Sequence, residues 1–195
     1  MLLHGMPFLM MNVPEGYIKG CLEGNPVAQR ELYNCLLPYL NAICNRYLKN
    51  TSLRHDVLQE SFIAIFKKID QYNPELGAFH SWSSRIVINN CLKHNQSAKK
   101  FIAFKTALYE KTIEPEALSL LGIEDIERFL KSMPEKYYEV FMLFVVDGFD
   151  HGQIAEMLEI KVELSRKRLA RARIWIQERL ERAGVSIVDF KYKTI

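Results

Sequence analysis

No apolar run in the 195 residues reaches the roughly 18 needed to cross a bilayer. The start, Met1 to Pro14, has neither the basic opening nor the small-residue cleavage site of a secretory leader. The chain is therefore expected in the cytoplasm, with no insertion into a membrane. Cysteine is sparse: Cys21, Cys35, Cys44 and Cys91 show no C-x-x-C spacing and sit in apolar, helical contexts. That fits reduced thiols used as small hydrophobes and excludes a disulfide scaffold. Catalytic signatures are missing too, with no G-x-S-x-G, Walker loop or H-E-x-x-H. Cys91 with His94 is the best metal candidate, but it has no second ligand pair at suitable spacing. His4, His55, His80 and His151 are scattered and read as surface or hydrogen-bonded residues. No enzymatic activity, cofactor or metal is expected.

What the chain does have is segregated charge. Residues 85–105 carry five bases (Arg85, Lys93, Lys99, Lys100, Lys105) and no acid. Residues 110–127 carry six acids and only Lys111, and residues 161–182 carry eight bases against three acids. Any one block reads as a solvated helix face. Two basic blocks flanking an acidic one point to a polyanionic partner met at two places.

Gly and Pro punctuation separates helical patterns, and no alternating strand precedes the last dozen residues. Asn25-Pro26 opens a helix to about Lys49 that Pro38 should kink. A second helix follows Ser52 to about Asp70, a turn occupies Gln71 to Gly77, and a third helix runs from Phe79 to about His94. Residues 96–121 lack a sustained period and read as a linker. Helices follow at about 123–132, from Met133-Pro134 to Asp147, from Asp150 to Leu158, and from Val162 to about Arg182. The expected fold is all-α: two small helical domains joined by a flexible linker, the C-terminal one a helix-turn-helix.

Helical phase then sorts the faces. On the last helix Val162, Ser165, Leu169, Ala172, Ile176 and Leu180 share one side, and Glu163, Leu164, Lys167, Arg168 and Arg171 the other. An ordinary surface helix and a major-groove reader fit this helix equally; the preceding Gly148-Phe-Asp-His-Gly-Gln-Ile-Ala-Glu-Met-Leu158 favours DNA. On the second helix Leu58, Phe62, Ile65 and Ile69 form a core stripe, while Asp56, Gln59, Glu60, Ile63 and Lys67 face away. Ile63 is either one ordinary exposed apolar residue or an anchor for a protein partner. The third helix is apolar nearly all round except for Trp82, Arg85, Asn89 and Lys93, followed by Lys99 and Lys100. Such a stripe suits single-stranded nucleic acid, although Trp82 itself reads as core. Asn89 and Asn90 need hydrogen-bond partners inside an apolar helix.

These residues carry a resemblance. Asp56-Val-Leu-Gln-Glu-Ser-Phe-Ile-Ala-Ile-Phe66, Gly77-Ala-Phe-His-Ser-Trp82 and Arg85-Ile-Val-Ile-Asn89 resemble region 2 of the extracytoplasmic-function sigma factors of bacterial RNA polymerase, in the sigma-70 family. Met133 to Phe141, Gly148 to Ala155 and Ser165 to Arg173 resemble region 4 of the same family. The match covers about residues 25–100 and 123–182, in the family's order and spacing.

The resemblance implies a division into an N-terminal extension (1–24), a region 2-like domain (25–100), a linker (101–122), a region 4-like domain (123–182) and a tail (183–195). It implies that Asp56, Gln59, Glu60 and Ile63 dock on the clamp helices of the polymerase's largest subunit. It implies that Trp82, Arg85, Asn89, Asn90, Lys93, His94, Lys99 and Lys100 meet the minus-ten element, with Asn89 at a base flipped from the non-template strand. Glu163, Leu164, Arg166, Lys167, Arg168 and Arg171 would meet the minus-thirty-five element, and region 4 the flap of the second-largest subunit. The implied function is promoter selection and transcription initiation in response to an envelope or environmental stimulus. The implied partners are core RNA polymerase, promoter DNA and an anti-sigma protein, which would hold the factor away from the nucleoid, at the membrane.

The sequence departs from the family at the turn and at Ser165, and Met1 to Glu15 and the tail Val185 to Ile195 have no counterpart in the resemblance. The family's turn before the recognition helix offers a serine or threonine and a glycine, where this chain has Ile160-Lys161-Val162-Glu163, and Ser165 stands where valine is common. Two other classes are weighed against this one. A helix-turn-helix regulator with a ligand- or protein-binding N-terminal lobe would not co-purify with core polymerase. A protein-binding helical adaptor would lack salt-dependent DNA affinity and leaves the basic blocks unexplained.

Overall fold

The computed structural model describes residues 13–103 and 123–182. The chain forms two compact units, dividing between Ala107 and Leu108, and every regular element among the described residues is helical. Unit one holds α1 (Glu15–Leu22), α2 (Pro26–Tyr47), α3 (Arg54–Lys67) and α4 (Phe79–Ala103); unit two holds α5 (Ile123–Lys131), α6 (Glu135–Phe141), α7 (His151–Leu158) and α8 (Val162–Arg182). None of the described helices is long and apolar enough to cross a membrane.

Helix α2 starts where capping chemistry dictates. The Asn25 side chain accepts from the amides of Val27 (2.9 Å) and Ala28 (3.3 Å), with Pro26 in the first turn where no amide is needed. The helix passes through Pro38 and buries Ala28, Leu32, Leu36, Leu40, Ile43, Cys44 and Tyr47. This row packs against α3, through Val57, Leu58, Phe62 and Ile65, and against α4, through Val87, Ile88, Cys91 and Leu92. Each fully buried aliphatic side chain contributes about 1.5 to 3 kcal/mol, and the three-helix contact gathers most of the residues buried in this unit.

Two findings extend the sequence reading here. The segment before Asn25, assigned to an extension, contains α1, which packs on α2 with Val13 and Cys21 buried. Gly20 permits the approach, because a Cβ there would lie 2.5 Å from the Ala28 Cβ. Helix α4 also runs nine residues past His94, to Ala103. No breaker stops it, and buried Asn95 fastens the added turn to the end of α2: its amide donates to the Tyr47 carbonyl (2.7 Å) and accepts from the Lys49 amide (3.3 Å). Residues 101–103, expected in the linker, are therefore helical, and the rest of that segment lies outside the described residues.

Between α3 and α4 the chain turns on Asn73, whose side chain accepts from the Glu75 amide at 2.9 Å, and on Gly77, whose φ of 145° disfavours any side chain. The turn returns Tyr72 onto Phe79 (4.9 Å between rings) and Trp82 (5.8 Å).

In unit two, α6 and α7 pack on α8. The expected single helix to Asp147 is instead α6 followed by a wide π-turn, Met142–Val146. Gly148 at φ 73° then lets the Phe149 amide reach the Leu143 carbonyl at 2.9 Å. Asp150 caps α7 in a reciprocal box with Gln153, each side chain holding the other's amide (2.9 and 3.0 Å).

Candidate nucleic-acid interface

The turn between α7 and α8 lacks the glycine expected of such a turn. Glu159 takes the left-handed conformation in its place (φ 53°, ψ 46°), and the Ile160 amide closes on the Ala155 carbonyl at 2.9 Å. Helix α8 leaves this turn with Ser165, Leu169, Ala172 and Trp175 buried. Trp175 is absent from the helical stripe read off the sequence, yet it fills the core beside Phe129 (5.3 Å) and carries the Arg179 guanidinium over its ring at 3.9 Å. Burial, and then the Arg182 charge, pull the Arg179 pKa below its ordinary value.

The opposite side of α8 presents Glu163, Leu164, Arg166, Lys167 and Arg171 to solvent, with Arg168 half-buried at its edge. The basic side chains begin in the first turns after the helix-turn-helix corner, where a groove-reading helix places its contacts. Ser165 points inward as phased, with its hydroxyl 2.9 Å from His151 Nδ1 on α7.

In unit one, α3 buries Val57, Leu58, Ser61, Phe62 and Ile65. Its outward side carries Asp56, Gln59, Glu60, Ile63 and Lys67, all exposed. Ile63 is 47% exposed among charged and amide groups. Asp56 lies 3.9 Å from the exposed His55 ring, a contact of little energetic weight.

On α4 the mixed stripe runs from half-buried Trp82 and Arg85 to exposed Asn89 and Lys93. Trp82 packs at a tilt against Tyr72 and Phe79, which makes it part of an aromatic cluster rather than an isolated core residue. The adjacent amides diverge: Asn89 faces solvent, whereas Asn90 turns to α3 and donates to Ser61 Oγ at 3.0 Å. His94, grouped by sequence with the DNA-facing residues, lies 2.8 Å from Glu60, grouped with the polymerase-facing ones. Lys99 and Lys100 lie on helical backbone, and their side chains lie outside the described residues.

Cys91 and His94 each take another partner, Cys91 in Cys44 and His94 in Glu60. The Cys91 thiol lies 3.8 Å from Cys44 Sγ in the core, and its hydrogen bond to Cys44, together with burial, holds its pKa well above the ordinary value. The described cysteines are all free thiols. No group of three or more ligating side chains among the described residues is placed to hold a metal.

Residues 32–101 match the family model for sigma-70 region 2 and residues 123–176 that for sigma-70 region 4, together more than half of the chain. The chain is 24% identical over 177 residues to the ECF RNA polymerase sigma factor SigW of Bacillus subtilis, covering 84% of this chain and 94% of that protein. It is 25% identical over 171 residues to the ECF RNA polymerase sigma-E factor of Haemophilus influenzae, covering 78% and 89%. The chain belongs to the extracytoplasmic-function group of the sigma-70 family. This sigma factor acts in promoter-specific transcription initiation, and sigma factors are initiation factors rather than enzymes. Its fold is shared with solved structures. CnrH in complex with the cytosolic domain of CnrY matches at TM-score 0.50 and 19% identity, covering 85% of this sigma factor and 96% of that chain. RpoE in complex with the anti-sigma factor NepR from Bartonella quintana matches at TM-score 0.54 and 18% identity, covering 78% and 96%.

Proposed function

We propose that the two units of this sigma factor divide promoter recognition between duplex and opened DNA, with core polymerase held by the first. Residues 25–100 form the domain that docks on core enzyme and captures the minus-ten non-template strand, and residues 123–182 the domain that reads the minus-thirty-five duplex. The observation that carries this reading is the exposed face of α8: Glu163, Leu164, Arg166, Lys167 and Arg171 reach solvent from a helix whose other side is locked into the unit by Ser165, Leu169, Ala172 and Trp175. A helix so fixed presents side chains to a groove in one register. Glu163 and Lys167, nearest its start, contact base edges with help from Arg166, while Arg168 and Arg171 neutralise phosphates.

On α3, Asp56, Gln59 and Ile63 form the surface for the clamp helices of the polymerase's largest subunit, with apolar Ile63 as the central anchor. On α4, Asn89 holds a flipped base through its amide donor and acceptor, while Arg85, Lys93, Lys99 and Lys100 attract the backbone. The C-terminal unit also engages the flap of the second-largest subunit. The chain works without an active site, metal or cofactor of its own. It is held in the cytoplasm until an envelope or environmental signal frees it from an anti-sigma protein, the kind of partner that RpoE of Bartonella quintana has in its complex with NepR.

The test is reconstitution. Core RNA polymerase supplied with this chain should initiate specific run-off transcripts that core alone does not make, and the chain should co-purify with core. A chain that binds duplex DNA but never associates with core would be a helix-turn-helix regulator of another kind.

A further inference from the structure

The polymerase-facing and strand-facing helices are joined by two hydrogen bonds that the sequence reading does not foresee. Ser61 and Glu60, neighbours on α3, hold Asn90 and His94, one turn apart on α4. The buried Ser61 hydroxyl spends its proton on the Val57 carbonyl at 2.6 Å and accepts from Asn90 Nδ2 with a lone pair. Asn90 is thereby committed to α3 and is a positioning residue. His94 Nε2 lies 2.8 Å from Glu60 Oε2, with the His94 side chain 29% and the Glu60 side chain 57% exposed.

A side-chain contact this exposed adds little to stability. It adds an angular restraint instead. Asn90 and His94 lie on one side of α4, and Asn89 and Lys93 share the side about 100° round. The buried row Val87, Ile88, Cys91 and Leu92 sets the rotation of α4 about its axis, and two bonds four residues apart on the α3 side trim it, and with it the direction of Asn89.

We infer that Glu60 is a positioning residue for minus-ten strand capture, acting through His94, and not a contact to the polymerase. The inference rests on the proposed reading of α4 as the strand-capturing helix. It places Glu60 at the rim between the two working faces, its carboxylate aimed at α4.

The test uses holoenzyme assembled from core polymerase and the full chain, with a promoter first selected from a random duplex library by the parent holoenzyme. Core affinity is measured beside affinity for a fork template whose minus-ten non-template strand is already single-stranded. Glu60→Ala and His94→Ala should each weaken fork binding by about three- to fivefold, and the double variant by no more than either single one. Glu60→Gln, whose amide oxygen still accepts from His94, should stay within about twofold of the parent, and core affinity should hold in all four.

The inference is overturned if Glu60→Ala weakens core binding, if the two alanine effects add, or if His94→Ala alone has an effect, because His94 would then touch the strand directly. Asn89→Ala, run in parallel, separates the two levels. If it weakens fork binding while Glu60→Ala does not, only the role of Glu60 falls. If both leave fork binding untouched, the strand-capture reading of α4 falls and the role of Glu60 with it.

Discussion

The hydroxyl of Ser165, in the first turn of α8, lies 2.9 Å from Nδ1 of His151, the first residue of α7. The same imidazole stacks on Phe144 in the π-turn, with ring centres 4.7 Å apart. One side chain thus ties together three segments of the DNA-reading unit. The polar residue found where the family commonly has valine has acquired a partner that makes its burial affordable.

The burial of His151 beside two arginines makes the unit sensitive to acid. Burial, then the charges of Arg166 and Arg173, hold the His151 pKa below its ordinary 6.5. The unfolded chain takes up the proton near that value while the folded unit resists it. Stability is therefore full above about pH 6.5 and falls as the pH drops towards the lower folded value. In a Trp82→Phe background, Trp175 fluorescence melts should show the C-terminal unit's Tm falling below pH 6.5. His151→Gln should flatten that dependence; an unchanged slope would mean that other groups cause it.

Ile63→Glu should leave the fold intact, because the side chain is already 47% exposed and such surface changes shift stability by only about 0.5 kcal/mol. Core affinity should nevertheless drop by roughly tenfold or more if Ile63 is the anchor of the docking face. Equal affinity in a folded variant would move that face elsewhere on the unit.

Substitutions along α8 should separate into two kinds. Arg171→Ala should weaken binding to all duplex sequences and reduce the salt slope by about one unit. Glu163→Ala or Lys167→Ala should change which minus-thirty-five sequence is preferred, at about 1 to 3 kcal/mol per contacted base pair. A binding series over promoter variants and salt concentrations reads both. The reverse pattern would exchange the two roles.

Asn89→Ala should leave core binding and duplex minus-thirty-five binding unchanged while lowering open-complex formation. Extruding a base costs a few kcal/mol, so a template already mismatched over the minus-ten region should recover most of the loss if Asn89 assists flipping. A defect of the same size on that template would make Asn89 a reader of the base only.

Gly20→Ala should destabilise the N-terminal unit by about 1 to 3 kcal/mol, as overpacking of a tight contact does. The added methyl would sit 2.5 Å from the Ala28 Cβ, which cannot rotate away. Urea melts should show a lower midpoint for this unit, and duplex binding by the C-terminal unit should be unaffected. A melt identical to the parent's would show that α1 can ride away from α2 at no cost.

Sequence alone determined the features that depend on neighbours a few residues apart. The caps at Asn25 and Asp150, the corner at Gly77, the buried row of α3 and the outward basic face of α8 follow from helical phase and local hydrogen bonding. The motif spacing in regions 2 and 4 was likewise enough to place the chain in its family. Tertiary structure decided which polar groups meet. Asn90 with Ser61, His94 with Glu60, Asn95 with the end of α2 and Cys44 with Cys91 are separated by 29 to 48 residues, and no periodicity links one helix to a partner on another. The sequence grouped Asn89 with Asn90 as adjacent amides in need of partners; only the packing of α3 against α4 gave Asn90 to Ser61 and left Asn89 to solvent. The same holds for α1, whose short amphipathic pattern becomes a stable helix only where Gly20 lets it lie on α2 and bury Val13 and Cys21.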